Sequence, residues 1–339
     1  MASGVTFEIL DLRHFAAPEL RPVLEAEGEL WRQRLHWDHR SAAKLLMQYL
    51  DTRSLPGYAA IEAGQVTGYA FCVYEDTKAV IGDVFALATA PLPAANPNYG
   101  FLSHAAHEIE TTLLRHLFEL LLNSPQTQRI ESQLLLHPTG THAASFREAG
   151  FQVYRRLYLV RQLVGISAAR PETRLNLPHD LELRPWRDED LNPAGRLIAE
   201  AYRDHPDSQI NDQYRSVHGS VRFLHNIVRY SGCGVFSAPV SHVVVERTSR
   251  EPVALLLGSR ISPQCGHITQ LCVHPNYRRR GLARLLLSIA GTFFLRQGVT
   301  EISLTVTEAN ADAIELYNAE GYICAHAFDA AVWRRDGIA

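Results

Sequence analysis

The feature that most constrains this chain is that it repeats one order of elements. Segment 129–160, RIESQLLLHPTGTHAASFREAGFQVYRRLYLV, and segment 301–329, EISLTVTEANADAIELYNAEGYICAHAFD, have the same layout. Each runs from a β-rich stretch through a polar loop into a short helical stretch. Each helical stretch ends in Gly-aromatic, Gly150-Phe151 and Gly321-Tyr322, and is followed by another strand-like run. Upstream, 57–86 and 241–275 both read as antiparallel meanders with turn residues between the strands. Both halves open with a short strand ahead of helical segments. A chain of 339 residues is also longer than one hydrophobic core usually serves. The repeat therefore predicts two copies of one α/β domain, at 1–164 and 181–339. The segment between them, 165–180 (GISAARPETRLNLPHD), is polar and proline-bearing, as suits a linker.

Charge and cysteine usage narrow the function classes. A formal net charge of −3 gives no general attraction to nucleic acid or an anionic membrane. No run approaches the roughly 20 apolar residues of a membrane span. The opening MASGVTFEILDLRHF lacks the basic-then-apolar order of a signal peptide. Cys72, Cys233, Cys265, Cys272 and Cys324 form no CxxC and are odd in number, so a disulfide framework is not expected. These features predict a reduced, cytoplasmic protein with no nucleic-acid or membrane partner. The run CGHITQLCVH places Cys265, His267, Cys272 and His274 close in sequence. On a strand rising about 3.3 Å per residue, His267 and Cys272 lie roughly 16 Å apart on opposite faces. Zinc ligands must lie within about 2.0–2.3 Å of the ion, so no metal is expected there.

The stretch VHPNYRRRGLARLLL, Val273 to Leu287, concentrates positive charge where a strand gives way to a helix. Leu282, Leu285, Leu286, Ile289 and Phe293 fall on one helical face. The loop before them therefore meets a helix N-terminus, where backbone N–H groups lack internal partners and the dipole is positive. Gly281 permits a positive φ and close approach of a ligand to the backbone. With Arg278, Arg279 and Arg280 around those donors, the segment suits an anion such as a pyrophosphate. A solvated, arginine-rich helix cap is the plainer alternative.

Arg278-Arg279-Arg280-Gly281-Leu282-Ala283 resembles the (Gln/Arg)-x-x-Gly-x-(Gly/Ala) loop of the GNAT superfamily of acyl-CoA-dependent N-acyltransferases. Asn310 and the following AIELYNAEGY resemble that superfamily's Asn…Leu-Tyr-x-x-x-Gly-aromatic segment, with Tyr317 four residues before Gly321. The resemblance covers 181–339 by motif and 1–164 only by element order. It implies two tandem GNAT-like domains, each a mixed, mostly antiparallel sheet flanked by helices, with acetyl-CoA as co-substrate and no metal.

By the same resemblance, the strand before the loop splays from its neighbour, and backbone groups of Leu271 and Val273 pair with the pantetheine arm. The loop and helix start, Arg278, Arg279, Arg280, Gly281, Leu282, Ala283 and Arg284, would hold the pyrophosphate. Asn310 would contact the cofactor, or simply cap the next helix. Tyr317 would protonate the departing thiolate, or pack as a core aromatic. The strand carries no carboxylate to serve as base. His267 occupies the place that base commonly takes. The strand also resembles that of arylalkylamine N-acetyltransferases, where histidines stand here and two residues on; this chain has Thr269 at the second place. A neutral imidazole is a competent base near pH 7, and a structural strand histidine is the alternative.

In the first half, aligning Gly150 with Gly321 puts Phe146 at the tyrosine position and Thr139 at the asparagine position, and no Arg-x-x-Gly-x-Ala loop precedes its helix. That half reads as a degenerate copy. Its cluster ELWRQRLHWDHR, with Trp31, Trp37, Asp38 and His39, would line a small pocket or pack in a core. The acceptor is a small-molecule or protein amine, and Asp204, Asp207 and Asp212 on 201–216 could attract a cation. The sequence thus predicts an N-acetyltransferase acting on a primary amine. The alternative is an acyl-CoA-binding sensor without turnover.

Overall fold

In the computed structural model, which describes residues 7–87, 103–163 and 177–335, alternating strand patterns and amphipathic helices assemble as two units. The first comprises Met1–Leu35, His39–Arg155 and Ala327–Ala339; the second comprises His36–Asp38 and Arg156–His326. The elements run β1 (Glu8–Asp11), α1 (Ala17–Leu35), α2 (Arg40–Asp51), β2 (Gly57–Glu62), β3 (Gln65–Glu75), β4 (Lys78–Ala86), α3 (His104–Leu122), β5 (Arg129–Gln133), α4 (Ala143–Glu148) and β6 (Gln152–Gln162). The chain continues with β7 (Leu181–Pro185), α5 (Leu191–Ala201), α6 (Pro206–Ile210), α7 (Val217–Arg229), β8 (Val235–Phe236), β9 (His242–Glu246) and β10 (Pro252–Arg260). It ends with β11 (Cys265–Val273), α8 (Leu282–Arg296), β12 (Glu301–Thr307), α9 (Ala311–Ala319) and β13 (Ile323–Arg334).

Both units carry the expected mixed, mostly antiparallel sheet with helices against it. The first unit's strand order is β1-β2-β3-β4-β5-β13, and the second's is β6-β12-β11-β10-β9-β7, with β8 on β10. The β4–β5 pair and the β11–β12 pair are parallel. The units divide the chain differently from the boundaries drawn on the repeat. Strand β6 pairs with β12 from Arg156↔Thr307 to Gln162↔Glu301 and so from Arg156 onward falls in the second unit. Strand β13 pairs with β5 from Ala330↔Gln133 to Arg334↔Arg129 and from Ala327 onward falls in the first. Alternation marks these runs as strands without naming their partners. The linker expected at 165–180 lies, up to residue 176, outside the described residues.

In the second unit, one core cluster forms where α8 packs on the sheet, with Leu286, Leu287, Ala290 and Phe294 against Val244, Leu256, Ile302 and Leu304. Gly266 allows the closest part of this approach, because a Cβ there would stand 2.5 Å from the Phe294 ring. Phe294 is fully buried. Truncation of such a side chain to alanine typically costs about 3–5 kcal/mol. A second cluster on α5 and α7 takes Leu197, Ile198, Leu224, Val243, Leu255 and Cys272. In the first unit, α3 buries Ile109, Leu113, Leu114, Leu117 and Leu121 at helical spacing against Ala70, Ile81 and Ile130. Among the described residues, no helix is long and apolar enough to cross a membrane.

Candidate active site

Two irregularities in the second sheet create the site. Pairing between β11 and β12 runs from Cys265↔Glu301 only to Ile268↔Leu304, although β11 continues to Val273 and β12 to Thr307. At the same level β11 carries a bulge against β10, where register passes from Leu257↔Gln270 to Gly258↔Ile268. The extra residue is Thr269, whose Oγ1 donates to the Leu257 carbonyl at 3.0 Å. A bulge increases local twist and re-aims the residues beyond it. The two strands therefore part, and a cavity of about 760 Å³ occupies the gap, a size ordinary for small-molecule and cofactor sites.

The N-terminus of α8 opens on this cavity. Gly281 stands at its N-cap in the left-handed region, φ 76° and ψ 6°, and the first turn holds no acidic residue to offset its free N–H groups. Leu271, Val273, Arg278, Arg279, Gly281, Leu282, Ala283, Arg284, Asn310 and Tyr317, all expected in the site, line the cavity. Arg278 braces the loop by donating to the Ala201 carbonyl at 2.8 Å. Arg284 is held by Glu320 at 2.7 Å. Arg280 does not line the cavity; its guanidinium lies over the Tyr277 ring at 4.9 Å. Asn310 does cap α9, accepting the Ala313 N–H at 3.2 Å. Its amide nitrogen also lies 3.2 Å from Nε2 of His205.

The opposite wall comes from α5, α6 and the turn after α6, through Tyr202, His205, Asp207 and Tyr214. Tyr202 and Tyr214 stack at 4.4 Å between centroids. Asp207 is buried and accepts from the Thr307 hydroxyl. Its Oδ2 lies 3.8 Å from Nδ1 of His205. Burial lowers the pKa of His205, and the Asp207 charge opposes that shift. Burial, with the Asp207 charge added, raises the Tyr317 hydroxyl above its ordinary value. Tyr317 thus keeps its proton across the neutral range. Of the three acidic residues expected to face a cationic acceptor, only Asp207 lines the cavity.

His267, expected as the base, stands apart from the cavity. Its Nδ1 is 2.9 Å from the Ser303 hydroxyl, and its ring packs against Trp37 at 5.1 Å and Tyr158 at 6.2 Å. Burial first, and the Arg156 charge second, lower its pKa to about 3. Its surroundings give it a structural place, and an imidazole so weakly basic takes up little proton near neutrality. The residue that sequence reasoning missed is His205, two positions from the noted Asp207. The tryptophan cluster packs inward: Trp31 and Trp37 are both buried, and Trp31 stacks on His39 at 4.9 Å. Phe146, at the first unit's tyrosine position, packs among Phe118 and Phe151 at 5.1 and 5.2 Å.

Residues 183–322 match the family model described as acetyltransferase (GNAT) family. A comparison with curated protein sequences finds no relative. Among solved structures, the chain is similar to a GCN5-related N-acetyltransferase from Sphaerobacter thermophilus, with TM-score 0.61 and 14% identity over 98% of this chain and 97% of that one. It is also similar to a tandem GNAT protein from the clavulanic acid biosynthesis pathway, solved without AcCoA, with TM-score 0.57 and 14% identity over 97% and 98%. A third similar structure is the glucosamine N-acetyltransferase region of a fungal multi-domain β-N-acetylglucosaminidase, with TM-score 0.59 and 14% identity over 98% of this chain and 38% of that one. At such identities these structures establish the fold, and the family model gives the kinship: the chain is a tandem GNAT-fold protein carrying a GNAT-family acetyltransferase domain at 183–322.

Proposed function

We propose that the second unit is an acyl-CoA-dependent N-acetyltransferase that moves acetyl from acetyl-CoA to a primary amine by direct attack on the thioester. The observation that carries this reading is the parting of β11 and β12 in front of the α8 N-terminus. Free N–H groups at that terminus, Gly281 in the left-handed region, and Arg278, Arg279 and Arg284 suit a pyrophosphate. The edge of β11 from Leu271 to Val273 suits an extended pantetheine arm. The thioester would then lie in the gap beside Tyr317, with the amine on the side of Tyr202, Tyr214 and Asp207.

The amine lone pair attacks the carbonyl carbon, the C–S bond breaks, and Tyr317 gives its proton to the departing thiolate. An ammonium must give up one proton before its lone pair can attack, and the nitrogen loses a second as the amide forms. His205 lines the cavity, which His267 does not, so it is the better-placed acceptor. The negative Asp207 side chain favours a cationic amine on that wall. The first unit lacks the arginine-glycine loop and has Phe146 where the acid would stand.

Calorimetric titration with acetyl-CoA tests the reading. One molecule per chain should bind, and Gly281→Glu should abolish binding, because a side chain strains the left-handed turn and its carboxylate repels the pyrophosphate. Two equivalent sites, or unimpaired binding by the variant, would overturn it.

A further inference from the structure

Away from the transfer site, the first unit gathers three buried side chains of metal-ligating type around one point. Glu110 projects from α3 and is fully buried. His137 and His142 stand on the connection from β5 to α4, and His142 occupies the N-cap place of α4 without making a cap bond. Nε2 of His142 lies 3.0 Å, and Nε2 of His137 3.3 Å, from the same Glu110 oxygen, Oε2. One donor atom from each residue falls within 4.8 Å of the other two. The second Glu110 oxygen accepts the Ala86 N–H at 3.1 Å, which fixes the carboxylate against β4.

We propose that Glu110, His137 and His142 form a site for a divalent transition metal, with zinc as the favoured ion. A four-coordinate ion holding nitrogen and oxygen ligands at about 2.0–2.1 Å sets neighbouring ligand atoms roughly 3.3 Å apart. Both nitrogen-to-oxygen separations already meet that spacing within about 0.3 Å. Two imidazoles and one carboxylate are a borderline donor set that suits zinc among divalent ions. A cavity of about 10 Å³ lined by both imidazoles and Asp329 has the size of a single water. Such a water is an ordinary further partner for ligating histidines, and Nδ1 of each ring is buried without a protein partner. The cavity is too small for an organic substrate, so the metal's role is structural: it pins α3 to the β5–α4 connection. None of these residues belongs to the acyl-transfer cavity.

The test is titration of chelator-stripped, full-length protein with Co²⁺, followed by displacement with Zn²⁺. Expected are the visible d–d bands of four-coordinate cobalt saturating at one equivalent, their loss on adding Zn²⁺, and a higher thermal midpoint with Zn²⁺. His137→Gln and His142→Gln should each weaken that equivalent beyond the about 10–100-fold typical of losing an outer partner. Acetyl-CoA binding should stay unchanged in both, which separates this site from the transfer site. Absence of a saturating one-equivalent signal in the wild type overturns the proposal. So does a signal that persists unaltered in both variants, since it would then arise from other histidines among the 16 in the chain. If either variant fails to fold, Glu110→Gln replaces it and should likewise weaken the one-equivalent signal, an unaltered signal overturning the proposal.

Discussion

Lowering the pH from 7 to 5 should destabilise the second unit by about 2 kcal/mol through His267 alone. In the folded chain, burial lowers this imidazole to about 3, against about 6.5 in the unfolded chain. Between those values the unfolded state binds a proton that the folded state refuses. The stabilisation is therefore complete above about 6.5 and is lost as pH falls, at about 1.36 kcal/mol per unit. From about 6.5 to 5 that amounts to roughly 2 kcal/mol. His267→Asn isolates the effect. Its amide can bond the Ser303 hydroxyl where Nδ1 now does, at 2.9 Å, but it takes up no proton. The smaller side chain lowers stability at every pH, so the readout is the difference between pH 7 and pH 5. Urea unfolding followed by tryptophan fluorescence is suitable, because Trp37 lies 5.1 Å from the ring. The variant should lose about 2 kcal/mol less than the wild type over this interval. Equal losses in both would show that His267 is not held neutral by burial. The same variant should keep the wild-type shape of the kcat/KM–pH profile; loss of its acid limb would restore His267 as the base.

Two further substitutions probe the chemistry. Tyr317→Phe should leave acetyl-CoA affinity nearly unchanged and lower turnover by about 10²–10⁴-fold, the usual contribution of a positioned acid; full turnover with chemistry rate-limiting would leave Tyr317 a packing residue. His205→Gln should remove a kcat/KM limb lying below about 6.5, the direction set by burial, and its deficit should shrink at high pH, where free amine is abundant; a deficit constant with pH would mark His205 as structural.

The loop ahead of α8 was legible as a strand-to-helix turn lining the cavity because each of its needs is local. A strand end, a glycine able to take φ 76° and an amphipathic helix are all visible within residues 273–294. Asn310 and Tyr317 were legible for the same reason, lying within one helix and its cap. His267 was placed by its resemblance to the position such a base commonly takes, and position along the sequence does not see the break in the strand that leaves it outside the cavity lining. The Thr269 bulge reverses the alternation: Ile268 before it packs into the same core as Leu271 and Val273 after it, while Cys272 packs into the other. His205 carried no signal, since only the fold brings it beside Asn310 and into the cavity. The unit boundaries failed for a different reason. The patterns of β6 and β13 are satisfied by any sheet edge offering a buried face, and their pairing with β12 and β5 is a matter of topology.

The most direct test of the acyl-transfer reading is release of free coenzyme A thiol when the full chain meets acetyl-CoA and a panel of primary amines, with products analysed by mass spectrometry. An acceptor-dependent release, matched by an acetylated amine and lost in Gly281→Glu, is the predicted result. Acetyl-CoA binding at one per chain with no thiol release and no acetylated product from small-molecule or peptide amines would contradict it.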